Sequence, residues 1–193
     1  MLSLRKPSPT TIENLLARQA NLEFTYRAVG ATASRPPDGY TLDHTRIEIG
    51  QGEADFVAAK QAMWRWEHFR VGWVEACPPD TPIKPGSVVA VVARLFGLWC
   101  ANACRIVYVV DGDGATIKHG FAYGTLPDHV ESGEERFLIE WDRATDRVSY
   151  DILAFSRPHQ IQARLGYPFV RQVQKRFMRD SAASMLRAVG KAR

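Results

Sequence analysis

"EERFLIEWDRATDRVSYDILAF", Glu134–Phe155, alternates along almost its whole length, and that alternation decides the fold. In an extended chain Glu135, Phe137, Ile139 and Trp141 share one side, while Arg136, Leu138 and Glu140 share the other. After "DRATD" the pattern resumes, with Val148, Tyr150, Ile152 and Ala154 opposing Ser149, Asp151, Leu153 and Phe155. Two period-two runs around a short polar turn predict a β-hairpin.

Upstream, "CRIVYVV" and "TIKHGFAYG" flank "DGDGA", a second tight-turn signal. Before them "SVVAVVARLFGLWC" is strongly apolar, and Gly97 within it predicts a bulge or bend. "GWVEAC" reads as a short strand ahead of the proline-rich loop "PPDTPIKPG". Five or six consecutive strands with tight turns imply an antiparallel sheet.

Helical patterning brackets this run. Thr10 and Glu13 have capping-box spacing ahead of Ile12, Leu15 and Leu16, predicting a helix from about Thr11 to Ala20. "FTYRAVGA" reads as extended, "TASRPPDGY" as a loop, and "YTLDHTRIEIG" as a strand. In "GEADFVAAKQAMWRWEHF" Phe56, Ala59, Met63, Trp66 and Phe69 make one apolar helical stripe, with Glu53 and Asp55 in the first turn. "SRPHQIQARLG" predicts a short helical turn closed by Gly166. "YPFVRQVQKRFMRDSAASMLRAVG" predicts a long final helix with Pro168 near its start and Val173, Phe177, Met185 and Val189 in one stripe. The expectation is an α+β fold: one domain over residues 1–193, with a curved antiparallel sheet wrapped around the C-terminal helix.

Composition narrows the class. A chain of 193 residues with 46% hydrophobic and 24% charged residues holds a single ordinary core. No apolar run approaches the roughly 20 residues that span a bilayer. Pro7 and Pro9 interrupt the start before any apolar core of signal-peptide length, so a soluble cytoplasmic protein is expected. Cys77, Cys100 and Cys104 are three, too few for a disulfide scaffold, and "CANAC" has neither the redox nor the zinc spacing. The formal charge of +4 is modest. Basic residues gather toward the end (Arg164, Arg171, Lys175, Arg176, Arg179, Arg187), but no nucleic-acid motif accompanies them. A solvated helix face outweighs contact with nucleic acid or an acidic partner.

With the order of elements in place, a family resemblance appears. "TYRAVGAT", "GYTLDHTRIEIGQG", "FRVGW", "LWCANACRIVYVV", "GFAYGTLPDHVESGEERF", "YDILAFSRP" and "RFMRDSAASM" resemble the DUF1990 family, in order and over nearly the whole chain. The resemblance implies no established activity. Its plan is similar to the START-like helix-grip superfamily, whose members enclose an apolar pocket between sheet and terminal helix. They include lipid and hormone carriers, aromatic cyclases and dehydratases. From that likeness follows the expectation of a cavity for a hydrophobic small molecule or lipid, with no cofactor and no metal.

The candidate ligand-binding residues are Trp99, Arg105, Tyr108, Tyr123, Glu135, Asp151, Phe155 and Phe177, with Arg105 and Glu135 as polar anchors. Gly120, Ala122 and Gly124 alternate on one strand face and leave room there for a helix or a ligand. Asp151, set between apolar neighbours, is expected to be partly buried with Arg105 or Arg157 as its partner. An ion pair outweighs a catalytic acid at that position. His129, Glu131, Glu134 and Glu135 have the residue types of a metal site, but they straddle turns and lack a second histidine. Acid/base chemistry by His129 with Glu135 suits a residue that titrates near neutrality, yet no nucleophile accompanies it. A polar rim closed by ion pairs is the plainer reading, and a lyase- or cyclase-like site the rival one.

Overall fold

The computed structural model describes residues 1–159 and 167–190. Its elements are β1 (Leu2–Ser3), α1 (Pro9–Gln19), β2 (Thr41–Gln51), α2 (Gly52–Trp64), β3 (Val74–Cys77), β4 (Val88–Leu95), β5 (Leu98–Gly112), β6 (Thr116–Thr125), β7 (Glu131–Asp142), β8 (Arg147–Pro158) and α3 (Tyr167–Gly190). The strands form one antiparallel sheet in the order β2-β8-β7-β6-β5-β4-β3, with the short β1 added to β5. Strand β2 thus enters from the N-terminal side of the chain and pairs with the last strand, Thr41 opposite Ser156 through Gln51 opposite Arg147.

The hairpin that decided the fold forms as its alternation requires. Phe137, Ile139, Tyr150 and Ile152 are fully buried on the concave face, packed with Phe56, Ala59 and Met63 of α2 and Met178, Ala182 and Met185 of α3. Each large side chain buried in this way contributes about 1.5–3 kcal/mol. The turn is set by Asp142, whose carboxylate accepts from Ala144 N and Thr145 Oγ1, each at 2.9 Å. A helix held in the curve of an antiparallel sheet is the helix-grip plan, and the fold is α+β.

Four local expectations change. Gly97 does not bend one strand. Phe96 and Gly97, at φ +50° and +83°, are the two central residues of a tight hairpin in which Leu95 faces Leu98. Positive φ at both central positions matches the twist of the flanking strands. Helix α2 stops at Trp64, because Trp66 takes φ +58° and a 3-10 turn follows over Glu67–Phe69. The stripe is buried all the same: Trp66 donates its indole N–H to Thr81 O at 2.8 Å, and Phe69 turns toward the cavity.

The segment from Phe24 to Ser34, read as extended up to Ala31 and as loop beyond, joins no strand of the sheet. It crosses the convex face as a strap, tied by Thr25 N to Thr125 O at 3.1 Å. The small face of β6 therefore meets neither helix nor cavity. A Cβ at Gly124 would lie 2.1 Å from Tyr26 Oη, so the glycine makes room for the strap. Of the expected turn at 156–166, Ser156–Pro158 belong to β8 and residues 160–166 lie outside the described residues. A second, smaller core on the convex side joins Ile12 and Leu15 of α1 to Ala90, Val92, Ala101 and Ala103.

Polar contacts along α3 hold it across the sheet. Tyr167 Oη pairs with Thr41 Oγ1 at 2.6 Å, Tyr150 Oη with Ser181 Oγ at 3.0 Å, and Ser184 Oγ donates to Glu67 O at 2.8 Å. Trp73 donates to Asp180 at 2.9 Å while the Arg176 guanidinium lies 4.3 Å from its ring centroid. Arg176 and Arg179 both pair with Asp180, so part of the basic cluster is neutralised on the helix itself.

Candidate functional site: a cavity between sheet and terminal helix

A cavity of about 750 Å³ opens between the concave face and α3. That lies within the range of about 300–1,000 Å³ typical of ligand pockets. Its walls are mainly apolar: Phe69, Trp73 and Val91 from the sheet side, Val173, Phe177 and Met178 from the helix. At the mouth Phe96, on the β4–β5 turn, meets Phe169 of α3 edge-to-face at 6.2 Å. Both rings are more than half exposed, at 84% and 61%.

The polar pole of the cavity follows from strand register. Asp43, Ala154, Glu135 and Tyr123 are successive neighbours across β2, β8, β7 and β6. Glu131 lies two positions farther along the same face of β7, beyond Gly133. Tyr123 Oη donates to Glu135 Oε2 at 2.6 Å. Gln174 reaches from α3 to Glu131 Oε2 and donates to Ser156 Oγ at 2.9 Å. Arg171 grips Asp43 through both terminal nitrogens. Glu131 Oε1 is buried with no hydrogen-bond partner.

Electrostatics follow the burial. Desolvation pushes the Glu135 carboxyl up to about 7; the Tyr123 hydrogen bond works against that, and Glu131 adds to it. Desolvation likewise pushes Glu131 up to about 7, against the bond from Gln174 and the Arg171 charge. His129 lines the cavity with its Nδ1 accepting from Glu131 N at 3.0 Å. Burial lowers its pKa to about 3, so it is a neutral imidazole there.

Of the candidate binding residues, Tyr123, Glu135 and Phe177 line this cavity together. Phe155 borders it, but its ring packs on the convex side against Tyr26 at 5.5 Å and Tyr40 at 5.2 Å. The other four lie elsewhere. Trp99 sits on the outer side beneath Lys6 and Arg94. Tyr108 pairs with Thr32 Oγ1 of the strap at 2.7 Å. Arg105 stacks over Phe24, 4.6 Å from the ring centroid, and donates to Leu22 O.

Asp151 is buried on the convex face, where its partners are Arg136 at 3.0 Å and His44 at 2.7 Å, not Arg105 or Arg157. Alternation put Asp151 on the face opposite Tyr150 and Ile152, but did not say which face is concave. The set of His129, Glu131, Glu134 and Glu135 divides in the same way. Glu134 turns to the convex side and accepts from Tyr26 Oη at 2.7 Å, Gly30 N at 2.6 Å and Thr32 N at 2.9 Å. Among the described residues no group of three or more His, Cys, Asp or Glu side chains is placed to hold a metal ion.

Several cavity residues carry little sequence signal. Asp43 and Gln174 read as exposed polar positions of a strand and a helix, and only the packing of α3 against β2 and β8 brings them to the pole. Phe96 and Phe169 are far apart in the chain and meet only in the fold. Among the described residues no helix is long and apolar enough to cross a membrane.

Comparison with known proteins places the chain. The domain of unknown function DUF1990 matches residues 25–184. A UPF0548 protein of Dictyostelium discoideum is 36% identical, covering 98% of this chain and 96% of the relative. A UPF0548 protein of Deinococcus radiodurans is 33% identical, covering 98% of this chain and 100% of the relative. The crystal structure of a hypothetical protein from Helicobacter pylori superposes with a TM-score of 0.53 at 11% identity, covering 89% of this chain and 96% of that one. That likeness is one of fold.

Proposed function

Since the chain belongs to the DUF1990 family, whose description assigns no activity, we propose its function from its own cavity: it binds a hydrophobic small molecule between the sheet and the C-terminal helix. The observation that carries the reading is the cavity of about 750 Å³, walled by Phe69, Trp73, Val173 and Phe177 and closed at one end by hydrogen-bonding groups. Apolar walls supply the affinity by removing ligand surface from water, and a few polar groups fix its orientation.

The test is native mass spectrometry of the purified protein with organic extraction, beside Ala154→Trp, which fills the cavity floor. A co-purifying apolar compound present in the parent and lost in the variant supports the reading. It is also supported if 1-anilinonaphthalene-8-sulfonate or another apolar dye binds stoichiometrically to the parent and not to the variant. A folded parent protein that binds neither overturns it.

A reaction-centred reading narrows to one group. Asp151 faces away from the cavity, whereas Glu135 reaches its wall with a carboxyl near the pH at which a general base is effective. Glu135 with Tyr123 is the pair that acid/base chemistry in this cavity would use. Exchange of a carbon-bound proton in a captured ligand, lost in Glu135→Gln, is its signature.

A further inference from the structure

The polar pole carries an imbalance of charge. Among the described residues that line the cavity there is no lysine or arginine, while four are acids: Asp43, Glu131, Glu134 and Glu135. Two of the four are already committed. Asp43 is held by the Arg171 fork, and Glu134 is spent on the strap, where Tyr26, Gly30 and Thr32 donate to it. Glu131 and Glu135 remain, and neither is matched by a cation on the cavity wall.

Their own hydrogen bonds leave capacity open. Glu135 is bonded through Oε2 to Tyr123. Glu131 uses Oε2 for Gln174, while Oε1 is buried without a partner although the residue is only 7% exposed. Both side chains line the cavity from the same face of β7, and between them Gly133 lets the Phe155 backbone of β8 approach closely. Buried acceptors without donors are costly, and the cost is removed by a ligand that brings the donors.

The chemistry of that ligand follows. An apolar molecule ending in a carboxylate or phosphate would set its negative charge beside two carboxyls with no free cation nearby, and like charges brought together cost affinity. A hydroxyl supplies one donor. An ammonium supplies up to three donors and the missing charge. We propose that the cavity takes apolar amines, with the protonated amine held by Glu131 and Glu135 and the apolar body against Phe69, Trp73 and Phe177. The proposal rests on the ligand-binding reading above and adds to it the class of ligand.

The groups around the pole set its response to pH. They are the Asp43–Arg171 pair from β2 and α3, Tyr123 from β6, Gln174 and Ser156 from α3 and β8, and the neutral His129 between β6 and β7. Within this ring of partners, Glu131 and Glu135 are the groups that change charge near neutrality. Below it they are protonated, and an ammonium loses its counter-charge. Above it they are ionised and hold the ammonium while repelling an anion.

Decylamine, decanol and decanoate, which share one apolar chain, test this by isothermal titration calorimetry on the full chain below their aggregation concentrations. At pH 8 decylamine should bind at least about tenfold more tightly than decanoate and more tightly than decanol. From pH 8 to pH 5.5 the decylamine affinity should fall and the decanoate affinity rise. Glu131→Gln with Glu135→Gln should abolish the amine preference and keep decanol binding; should that double variant fail to fold, the opposed pH trends in the parent protein decide. Decanol or decanoate binding as tightly as decylamine at pH 8 overturns the choice of amine and leaves the apolar cavity standing. Binding of none of the three overturns the cavity reading, and this inference with it.

Discussion

Tyr123 and Glu135 are register partners across β6 and β7, and the phenol donates to the carboxylate at 2.6 Å on the cavity wall. The pair joins two facts that pull in opposite directions. Burial drives the Glu135 carboxyl up to about 7, and the tyrosine bond is the main influence holding it lower. An acid whose folded pKa is raised suffers no penalty below its unfolded value. The penalty grows as pH rises toward the folded value and is then constant.

Glu135→Gln removes the ionisable group and keeps an acceptor for Tyr123. The stability of this variant relative to the parent should therefore be higher at pH 8 than at pH 4.5, by on the order of 1–3 kcal/mol. Urea denaturation at the two pH values measures it. A difference that does not change with pH would mean that Glu135 is not desolvated.

His68 should show the opposite trend. It is fully buried, both ring nitrogens lack partners, and it lies among Phe69, Phe121 and Phe137 with ring centroids 4.7–5.7 Å away. Burial lowers its pKa to about 3. A histidine with a lowered folded pKa loses stability as pH falls from about 6.5 toward that value, because the unfolded chain takes up the proton first. His68→Leu should be near neutral at pH 7.5 and more stable than the parent at pH 5 by about 1–2 kcal/mol. Thermal melts at both pH values check it, and a variant that falls behind the parent at pH 5 rules it out.

The strap depends on Glu134 and on the space above Gly124. Glu134→Ala leaves the Tyr26 hydroxyl and the Gly30 and Thr32 amides without their acceptor and should cost about 2–4 kcal/mol. Gly124→Ala drives a Cβ into Tyr26, at 2.1 Å from its hydroxyl oxygen, and should cost about 1–3 kcal/mol. Both effects are read by chemical denaturation. Since each change loosens the same strap, the double variant should be less destabilised than the sum of the two.

Phe96 combines strain with a place at the cavity mouth. It holds φ +50° while 84% exposed, facing Phe169. Phe96→Gly should raise stability by about 0.5–1 kcal/mol, because glycine takes that backbone conformation freely. It should also speed apolar dye uptake in stopped-flow mixing. Unchanged uptake would show that the aromatic pair does not control entry.

The sheet was legible because alternation is a local property. The hairpin around "DRATD" and the strands around "DGDGA" could be paired from their turns alone. Which face of each strand turns inward was not legible, since small residues suit a close approach by any neighbour: Gly124 received the strap, and Gly120 the backbone of β7 at Phe137. The apolar neighbours of Asp151 signal a carboxylate that needs a partner, but which partner depends on register: Arg136 comes from the adjacent strand, whereas Arg105 and Arg157 stack on Phe24 and Tyr40. The site was half legible. Glu135 and Phe177 follow from face and stripe, but the pole needs Gln174 and Arg171, which reach it only once α3 lies over β2 and β8.

That placement of α3 has a consequence in time. The helix is made after every strand, and its first turns carry the Tyr167, Arg171 and Gln174 contacts to β2, β7 and β8. Until those residues leave the ribosome, the concave face with Phe121, Phe137 and Ile152 has only α2 and the Trp66–Phe69 turn over it and lacks the cover of α3. The cavity thus forms only after every strand has been made, and a chain halted before Tyr167 would present a curved apolar sheet to any chaperone or neighbouring chain within reach.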